Sequence, residues 1–375
     1  MNRVARFVFF LFLFCQISLS GQKISDDSLM KKANQEIYNN PENAIRIGKK
    51  LLQKEKDVKR RVRIYLVLST ANIAKRDFDG SLRYLLEARE LVKKTDDPVI
   101  KTRVLVAIAF QYQQMDFYSK SLETIDEAGE YLSQFPEGDL DKYFETARSY
   151  ALRGMIHKSQ SNPEIALQEF LIAVKNFDKI KEKKTYFNQS IVYYNIGYCY
   201  LFLNQLKNAE LAFMKSMEFA RLIKANSLEA FALKGLAEMN KYNHQNQTAL
   251  DQLLKAQHLS QDIGDLTLNE GIYKEMSDNY LAMGNQQLYK FYNGKAFEVN
   301  AKREQNELSS INHAIDVHNK EMAKKSREII DDYNILTTAV IMAGLLMTGL
   351  LLYAALKIRK KNRKYQDEIQ KLIHF

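Results

Sequence analysis

The sequence contains few of the residues that interrupt helices or build redox and metal sites. It has four prolines, 14 glycines, two cysteines and no tryptophan in 375 residues. Scarce proline and glycine favour helices joined by short turns, and no stretch alternates polar and apolar residues for long enough to predict a sheet. The two cysteines, Cys15 and Cys199, cannot form a disulfide within a mature chain, because Cys15 lies in an apolar leader.

Motifs of catalytic and cofactor sites are also missing. The sequence has no glycine-rich phosphate-binding loop and no GxSxG nucleophile motif, and its six histidines lack the spacing of a helical metal pair. Catalysis needs acids, bases or nucleophiles that converge on one site. We therefore predict a protein that is not an enzyme and that requires no metal or cofactor.

A net charge of +10 can indicate nucleic-acid binding, but most of this charge lies at the two ends of the chain. Arg3 and Arg6 lie at the start, and the last 19 residues contain seven basic and two acidic side chains. The remainder, residues 21–356, is nearly neutral, with a charge of +3. The sequence therefore gives no support for binding of DNA or RNA by this chain.

The stretch from Tyr193 to Ser216 has the pattern of two short helices joined by an Asn-Gln turn. Gly197 lies in the first helix and Ala209 begins the second, at positions where two helix backbones approach closely. Aromatic and aliphatic residues around them supply the apolar filling. One such pair cannot bury its apolar face alone, so neighbouring pairs are expected.

The chain supplies these neighbours at regular intervals. With Gly197, Ala209 and Ser216 as a template, 18 of the 21 matching positions in seven copies hold Ala, Gly or Ser. The second position of each copy follows the previous one by 37 to 45 residues. The predicted packing residues are Ser69, Ala109, Gly154, Gly197 and Ala237 in first helices, with Ala166, Ala209 and Ala249 in second helices.

This spacing of aromatic, small and apolar residues resembles the tetratricopeptide repeat (TPR). The resemblance implies an all-α, TPR-like helix-turn-helix solenoid of about seven repeats over residues 21–300. The intervals exceed the usual length of that repeat, about 34 residues, and arrays of three-helix or longer-helix units with periods of about 40 to 47 residues are the structural alternative. Those arrays do not require a small residue 12 positions before the second helix.

In TPR proteins, the first helix of each repeat lines a concave groove. In this chain we count from the small packing residue of each first helix. The residues six and three positions before it and one position after it are predicted to line the groove. The hypothesis is that arginines of three successive repeats bind carboxylates of an extended peptide, while aromatic residues receive its apolar side chains. The alternative is a solvated basic stripe beside packing aromatics. The candidate residues are Arg63, Arg103, Phe110, Arg148, Tyr194, Tyr198, Phe231 and Lys234.

Residues 1–20 have the layout of a secretory signal peptide. Two arginines precede an apolar run from Phe7 to Cys15, and Ser18 and Ser20 are spaced for cleavage near Gly21. The alternative is an uncleaved N-terminal membrane anchor. A signal peptide would send the solenoid across the membrane.

Three segments follow the solenoid. Residues 301–334 form a polar helical stalk with a weak seven-residue apolar repeat, residues 335–356 carry no charge, and residues 357–375 form a basic helix. At about 1.5 Å per residue, the uncharged segment is roughly 33 Å long, enough to span a hydrocarbon core of about 30 Å. Small residues four apart in this span, together with the stalk, make a homodimer possible.

The charges beside the span predict its orientation. Asp331 and Asp332 precede it and six basic residues follow it at once, so the C-terminus is predicted to be cytoplasmic and the solenoid periplasmic, in a bacterial inner membrane. This layout resembles bacterial membrane-bound TPR regulators that end in a cytoplasmic output domain. The resemblance implies a receptor that binds a protein or peptide outside the cytoplasm and relays the event to a cytoplasmic partner or output domain. The alternative is a static scaffold for envelope proteins.

Overall fold

The computed structural model describes residues 25–37, 39–261 and 263–373, so the predicted signal peptide over residues 1–20 lies outside the described residues. Within these ranges the chain folds into 14 α-helices and one 3₁₀ helix, Lys183–Thr185, without a β-strand, and the predicted all-α fold is confirmed. The helices are α1 Asp26–Glu36, α2 Pro41–Leu52, α3 Val58–Ala74, α4 Phe78–Val92, α5 Pro98–Gln114, α6 Tyr118–Leu132, α7 Leu140–Ser159, α8 Pro163–Phe177, α9 Tyr186–Phe202, α10 Leu206–Leu222, α11 Asn226–Tyr242, α12 Asn246–Ser260, α13 Leu266–Ala282 and α14 Gln286–Ile373.

Consecutive helices pair across short turns, and the pairs stack on one another. Buried apolar residues form successive clusters along the stack, so the core is a layer that runs the length of the solenoid. Near the start of α14, the Tyr292 ring lies 5.4 Å from that of Tyr280 and 6.2 Å from that of Tyr273, measured between centroids. The first turns of α14 therefore complete a seventh pair with α13.

The turn inside a helix pair repeats one backbone geometry. The second residue after the first helix has a φ between 57° and 75°, and the next N–H donates to the carbonyl five residues earlier, as Asp77 does to Asn72 at 2.9 Å. This left-handed cap satisfies carbonyls at the helix end. Five of these six positions carry a side chain in a conformation that favours glycine. The six residues are Arg76, Asp116, Ser161, Asn204, His244 and Gly284.

The eight predicted packing residues are all buried. Where glycine occupies such a position, an aromatic ring of a neighbouring helix lies against the backbone. A Cβ on Gly154 would lie 2.7 Å from the Phe170 ring, and one on Gly197 would lie 2.5 Å from the Phe213 ring. Gly235 of α11 approaches the same Phe213 ring, and a Cβ placed on it would overlap that ring. Phe213 therefore packs α10 against both α9 and α11.

Helix α14 is by far the longest helix, with 88 residues. The chain divides into two compact units, Met1–Asn312 and His313–Phe375. Helix α14 runs without a break through the predicted stalk and span and into the predicted basic helix. Its segment Ser326–Gln370 is long and apolar enough to cross a membrane, judged by length and composition. The solenoid boundary predicted at residue 300 lies inside this helix.

Candidate functional site

The first helices of successive pairs line a cavity of about 470 Å³, which we call the concave cavity. Its wall is formed by α3, α5, α7, α9 and α11 and by the beginning of α13. The wall uses the last turns of α3, from Ser69 to Ala74, but the first turns of α11, from Ser227 to Phe231. The cavity therefore crosses the array diagonally. We attribute this shift to the small rotation between stacked repeats, which accumulates along a solenoid.

The eight predicted groove residues fall into two sets of four because of this shift. Arg63 and Arg103 precede the parts of α3 and α5 that form the wall, whereas Tyr198 and Lys234 follow the corresponding parts of α9 and α11. Residues that occupy equivalent positions in the repeat alignment therefore differ in whether they reach the wall. The four in the wall are Phe110, Arg148, Tyr194 and Phe231.

Two of the three predicted arginines contact carboxylates of the chain itself. Arg103 donates to Asp141 at 2.7 Å and to Glu145 at 3.1 Å, and Arg148 donates to the other oxygen of Glu145 at 2.8 Å. Glu145 is fully buried, so its charge requires such partners. Arg63 is exposed. Of the three predicted arginines, Arg148 lines the wall, and it is already paired with a carboxylate of the chain.

Tyr198 and Lys234 belong to a hydrogen-bonded cluster with Glu238. The Tyr198 hydroxyl donates to Glu238 Oε1 at 2.6 Å, and Lys234 Nζ donates to the Tyr198 hydroxyl at 2.9 Å and pairs with Glu238. Burial alone would lower the pKa of Lys234, but Tyr194 and Glu238 outweigh burial and raise it. Lys234 is therefore a charged group that is paired within the chain.

Lys158, which the groove prediction missed, lines the cavity near the end of α7. Its ammonium donates to Asn195 Oδ1 and lies 6.0 Å from the ring centroid of Tyr194 and 5.6 Å from that of Tyr198. Burial lowers the pKa of Lys158 to about 8. Position 158 is four residues after Gly154, on the helix face used for the prediction, so extending that face by one turn would have found it.

Ser227 and Asp265 are among the other polar side chains that line the cavity. Ser227 is 2% exposed, and its hydroxyl has no hydrogen-bond partner among the described residues. Asp265 caps α13 by accepting from the N–H of Leu268 at 3.0 Å, and burial raises the pKa of its carboxyl. The wall exposes more apolar than polar surface, and in the described part of the chain no group of His, Cys, Asp and Glu converges as metal ligands do. A concave wall that combines apolar surface with polar groups is typical of a ligand site.

An ion-pair cluster joins α14 to the turn between α3 and α4. Arg76 of that turn lines the cavity, and it donates to Glu307 Oε1 at 2.7 Å and to Gln114 at 3.1 Å. Arg303, one turn earlier on α14, donates to Glu307 Oε2 at 2.7 Å and to Glu270 of α13 at 2.6 Å. The part of α14 that belongs to the first unit is thus bonded to a residue of the cavity wall.

These observations define a class of protein, an α-helical solenoid of TPR type with a cavity lined by the first helices of its pairs. Solved structures similar to this chain are TPR-type helical repeat proteins, which confirms the resemblance to that repeat. The Rap conjugation gene regulator of the plasmid pLS20, solved with the Phr* peptide, matches with a TM-score of 0.54 at 15% identity, over 74% of this chain and 74% of that one.

Two other solved structures are similar over most of their length. NprR in complex with its cognate peptide NprX matches with a TM-score of 0.54 at 13% identity, over 88% of this chain and 94% of NprR. A Rap protein complexed with Competence and Sporulation Factor matches with a TM-score of 0.50 at 10% identity, over 75% and 99%. Identities this low establish the fold alone. No protein-family model and no curated protein sequence matches the chain.

Proposed function

We propose that this chain is a non-enzymatic receptor whose peptide ligand lies in the concave cavity. The observation that carries the proposal is the cavity itself, because its wall draws on six successive first helices and an extended chain within it would contact several of them. Phe110, Tyr194 and Phe231 supply aromatic surface for apolar side chains. Two structures of the same fold contain bound peptides, which favours a peptide over a small molecule.

The test is capture of peptides by the full-length chain in detergent, with a pool of random pentapeptides blocked at both ends and bound peptides measured by mass spectrometry. Ala151 is a half-buried residue of the wall, so Ala151→Trp should fill the cavity and reduce capture at least tenfold. Met214→Trp is the control, because Met214 is 49% exposed and lies outside the wall. Equal capture by Ala151→Trp and wild type would refute the site.

We also propose that the chain spans a bacterial inner membrane once, with the solenoid periplasmic and the C-terminal helix cytoplasmic. The apolar segment within Ser326–Gln370 and the charges on its two sides support this placement. In a chain whose natural cysteines are replaced by serine, Glu298→Cys and Lys361→Cys place one thiol on each side. A membrane-impermeant maleimide added to spheroplasts should label position 298 and not 361, and the reverse pattern would overturn the orientation.

We propose, finally, that peptide binding is relayed to α14 through the ion-pair cluster of Arg76, Glu270, Arg303 and Glu307. Arg76 belongs both to the cavity wall and to the bonds that fix α14, so a ligand that moves Arg76 changes the support of that helix. A relay to a cytoplasmic partner requires such a connection, whereas a static scaffold does not.

Hydrogen exchange of residues 300–312, with and without the captured peptide pool, separates the relay from the scaffold. Peptide should change the exchange rate in wild type, and Glu307→Ala should remove that response while capture stays within about threefold. Glu298→Ala is the matched control, since Glu298 is an exposed glutamate of the same helix. A peptide that binds without altering exchange in wild type would favour the scaffold.

A further inference from the structure

The charged side chains in the wall of the concave cavity are not equally satisfied. Three basic residues line it, and two of them are paired: Arg76 with Glu307, and Arg148 with Glu145. Lys158 is the third, and no carboxylate among the described residues forms an ion pair with it. The wall therefore contains one basic group that forms no ion pair with the described residues.

The groups around Lys158 do not supply the missing negative charge. Asn195 is neutral, and the Glu238 carboxylate is already bonded to Lys234 and to Tyr198. Burial raises the pKa of the Cys199 thiol to about 11, so this thiol is uncharged near neutral pH. An ammonium that is partly removed from water without a carboxylate partner costs free energy in the folded chain.

A second wall residue, two helix pairs further along the stack, has an unused polar group. Ser227, at the beginning of α11, is 2% exposed, and its hydroxyl has no partner in the described part of the chain. Leaving a buried hydroxyl without a hydrogen bond is unfavourable. A hydroxyl can both donate and accept, so Ser227 suits a peptide amide or carbonyl. Phe110 and Phe231 line the wall as well.

We propose that Lys158 binds a carboxylate of the ligand and that Ser227 hydrogen-bonds to its backbone, so that the receptor selects acidic peptides with apolar side chains. This inference rests on the peptide-binding function proposed above and names the chemistry of its ligand. The carboxylate belongs either to an Asp or Glu side chain or to the free C-terminus. Both sources present the same group to the ammonium.

The experiment compares four pools of pentapeptides made from Ala, Val, Leu and Phe, each offered to the full-length chain in detergent. The first pool has both ends blocked and one Glu, the second has Gln in place of Glu, and the third has Lys in that place. The fourth has uncharged side chains, a blocked N-terminus and a free C-terminal carboxylate. We expect at least tenfold greater capture of the Glu pool than of the Gln and Lys pools if side chains are recognised. If the C-terminus is recognised, the fourth pool should exceed the Gln pool by that factor.

Three variants assign the selectivity to Lys158. Lys158→Ala should bring the capture of acidic and neutral pools to the same level, while capture of the Gln pool, which reports an intact cavity, stays as in wild type. Lys158→Arg should preserve the preference because it preserves the charge. Lys207→Ala, an exposed lysine outside the wall, is the matched control and should behave as wild type.

The failures of the two proposals are distinguishable. If wild type captures the Gln pool but shows no preference for either carboxylate, or if the preference survives in Lys158→Ala, the inference about Lys158 is overturned and the peptide receptor stands. If no pool is captured at all, both the proposed peptide-binding function and the proposed ligand class are refuted. Ser227→Ala should weaken capture of all pools about equally, and a loss confined to the acidic pools would contradict its assignment to the backbone.

Discussion

The interface between paired helices and the wall of the concave cavity draw on the same first helices, but individual polar groups in the two places are bonded differently. In the interface, Ser69 and Ser81 share a hydrogen bond at 2.8 Å, and Ser81 donates to Gln111 at 2.6 Å. In the wall, Lys158 lacks a carboxylate partner and Ser227 lacks any hydrogen-bond partner among the described residues. Bonds such as those of Ser69 and Ser81 stabilise the interface, whereas Lys158 and Ser227 can bind another molecule.

The largest expected effect is loss of stability in the interface. Phe213 is fully buried and packs against Gly197 and Gly235, so Phe213→Ala should lower the free energy of unfolding by about 3–5 kcal/mol. Urea unfolding followed by circular dichroism measures the change. Leu211→Ala on the same helix is the control, because Leu211 is 59% exposed and its removal should change stability by about 0.5 kcal/mol or less. Similar losses in both variants would contradict the packing argument.

A single added methyl group should lower the free energy of unfolding inside the interface and raise it outside. The Cβ of Gly197→Ala would lie 2.5 Å from the Phe213 ring, and the resulting overpacking should cost about 1–3 kcal/mol. Gly129→Ala, within α6, meets nothing within 4 Å and should instead stabilise the chain by about 0.5–1 kcal/mol through helix propensity. The urea midpoints of the two variants should therefore shift in opposite directions, and a shift of both in the same direction would refute the role of Gly197 as a packing residue.

The charge of the wall should make capture of acidic peptides depend on pH. Lys158, with a pKa of about 8, loses its proton as the pH rises, whereas Lys234 stays charged because its pKa is raised and the Cys199 thiol stays neutral to about pH 11. The apparent Kd of the preferred acidic pool should increase by up to about tenfold per pH unit above pH 8. Isothermal titration at several pH values checks this. A flat profile, or one shared by Lys158→Ala, would exclude Lys158 as the titrating group.

Much of the interface could be predicted from the sequence because its causes are local. A small residue 12 positions before another follows from the contact between two paired helices, and the seven-repeat architecture follows from its recurrence. The spacing also located the turns, although the left-handed residue in them is usually not glycine. Arg76 gave no sign of its backbone conformation. Gly235 was missed as a contact of Phe213 because this contact joins neighbouring repeats and lies outside the template.

The cavity was harder to predict because its position is a cumulative property of the stack. Successive repeats of a solenoid are rotated slightly, so the part of the first helix that reaches the wall shifts from the last turns of α3 to the first turns of α11. A prediction that uses the same positions in every repeat therefore includes Arg63 and omits Lys158. The bond from Arg76 to Glu307 joins residues 231 positions apart and has no periodic signature. A sequence can show that an arginine is present but not that a carboxylate such as Glu145 already pairs with it.

The smallest expected effect is a gain of stability in the wall. Lys158→Met keeps the length of the side chain and removes the uncompensated charge, so the free energy of unfolding should rise by roughly 0.5–1 kcal/mol. The pKa of Lys158 is about 8 in the folded chain and 10.5 in its ordinary state, so the unfolded chain binds more protons between these values and wild-type stability increases with pH there. The advantage of the variant should therefore be widest below pH 8, and because wild type gains about 1.4 kcal/mol per pH unit above that value, wild type should become the more stable chain before pH 10.5. Urea unfolding at about pH 7 and about pH 9.5 measures it, and an advantage that does not change with pH would mean that packing, not charge, distinguishes the two chains.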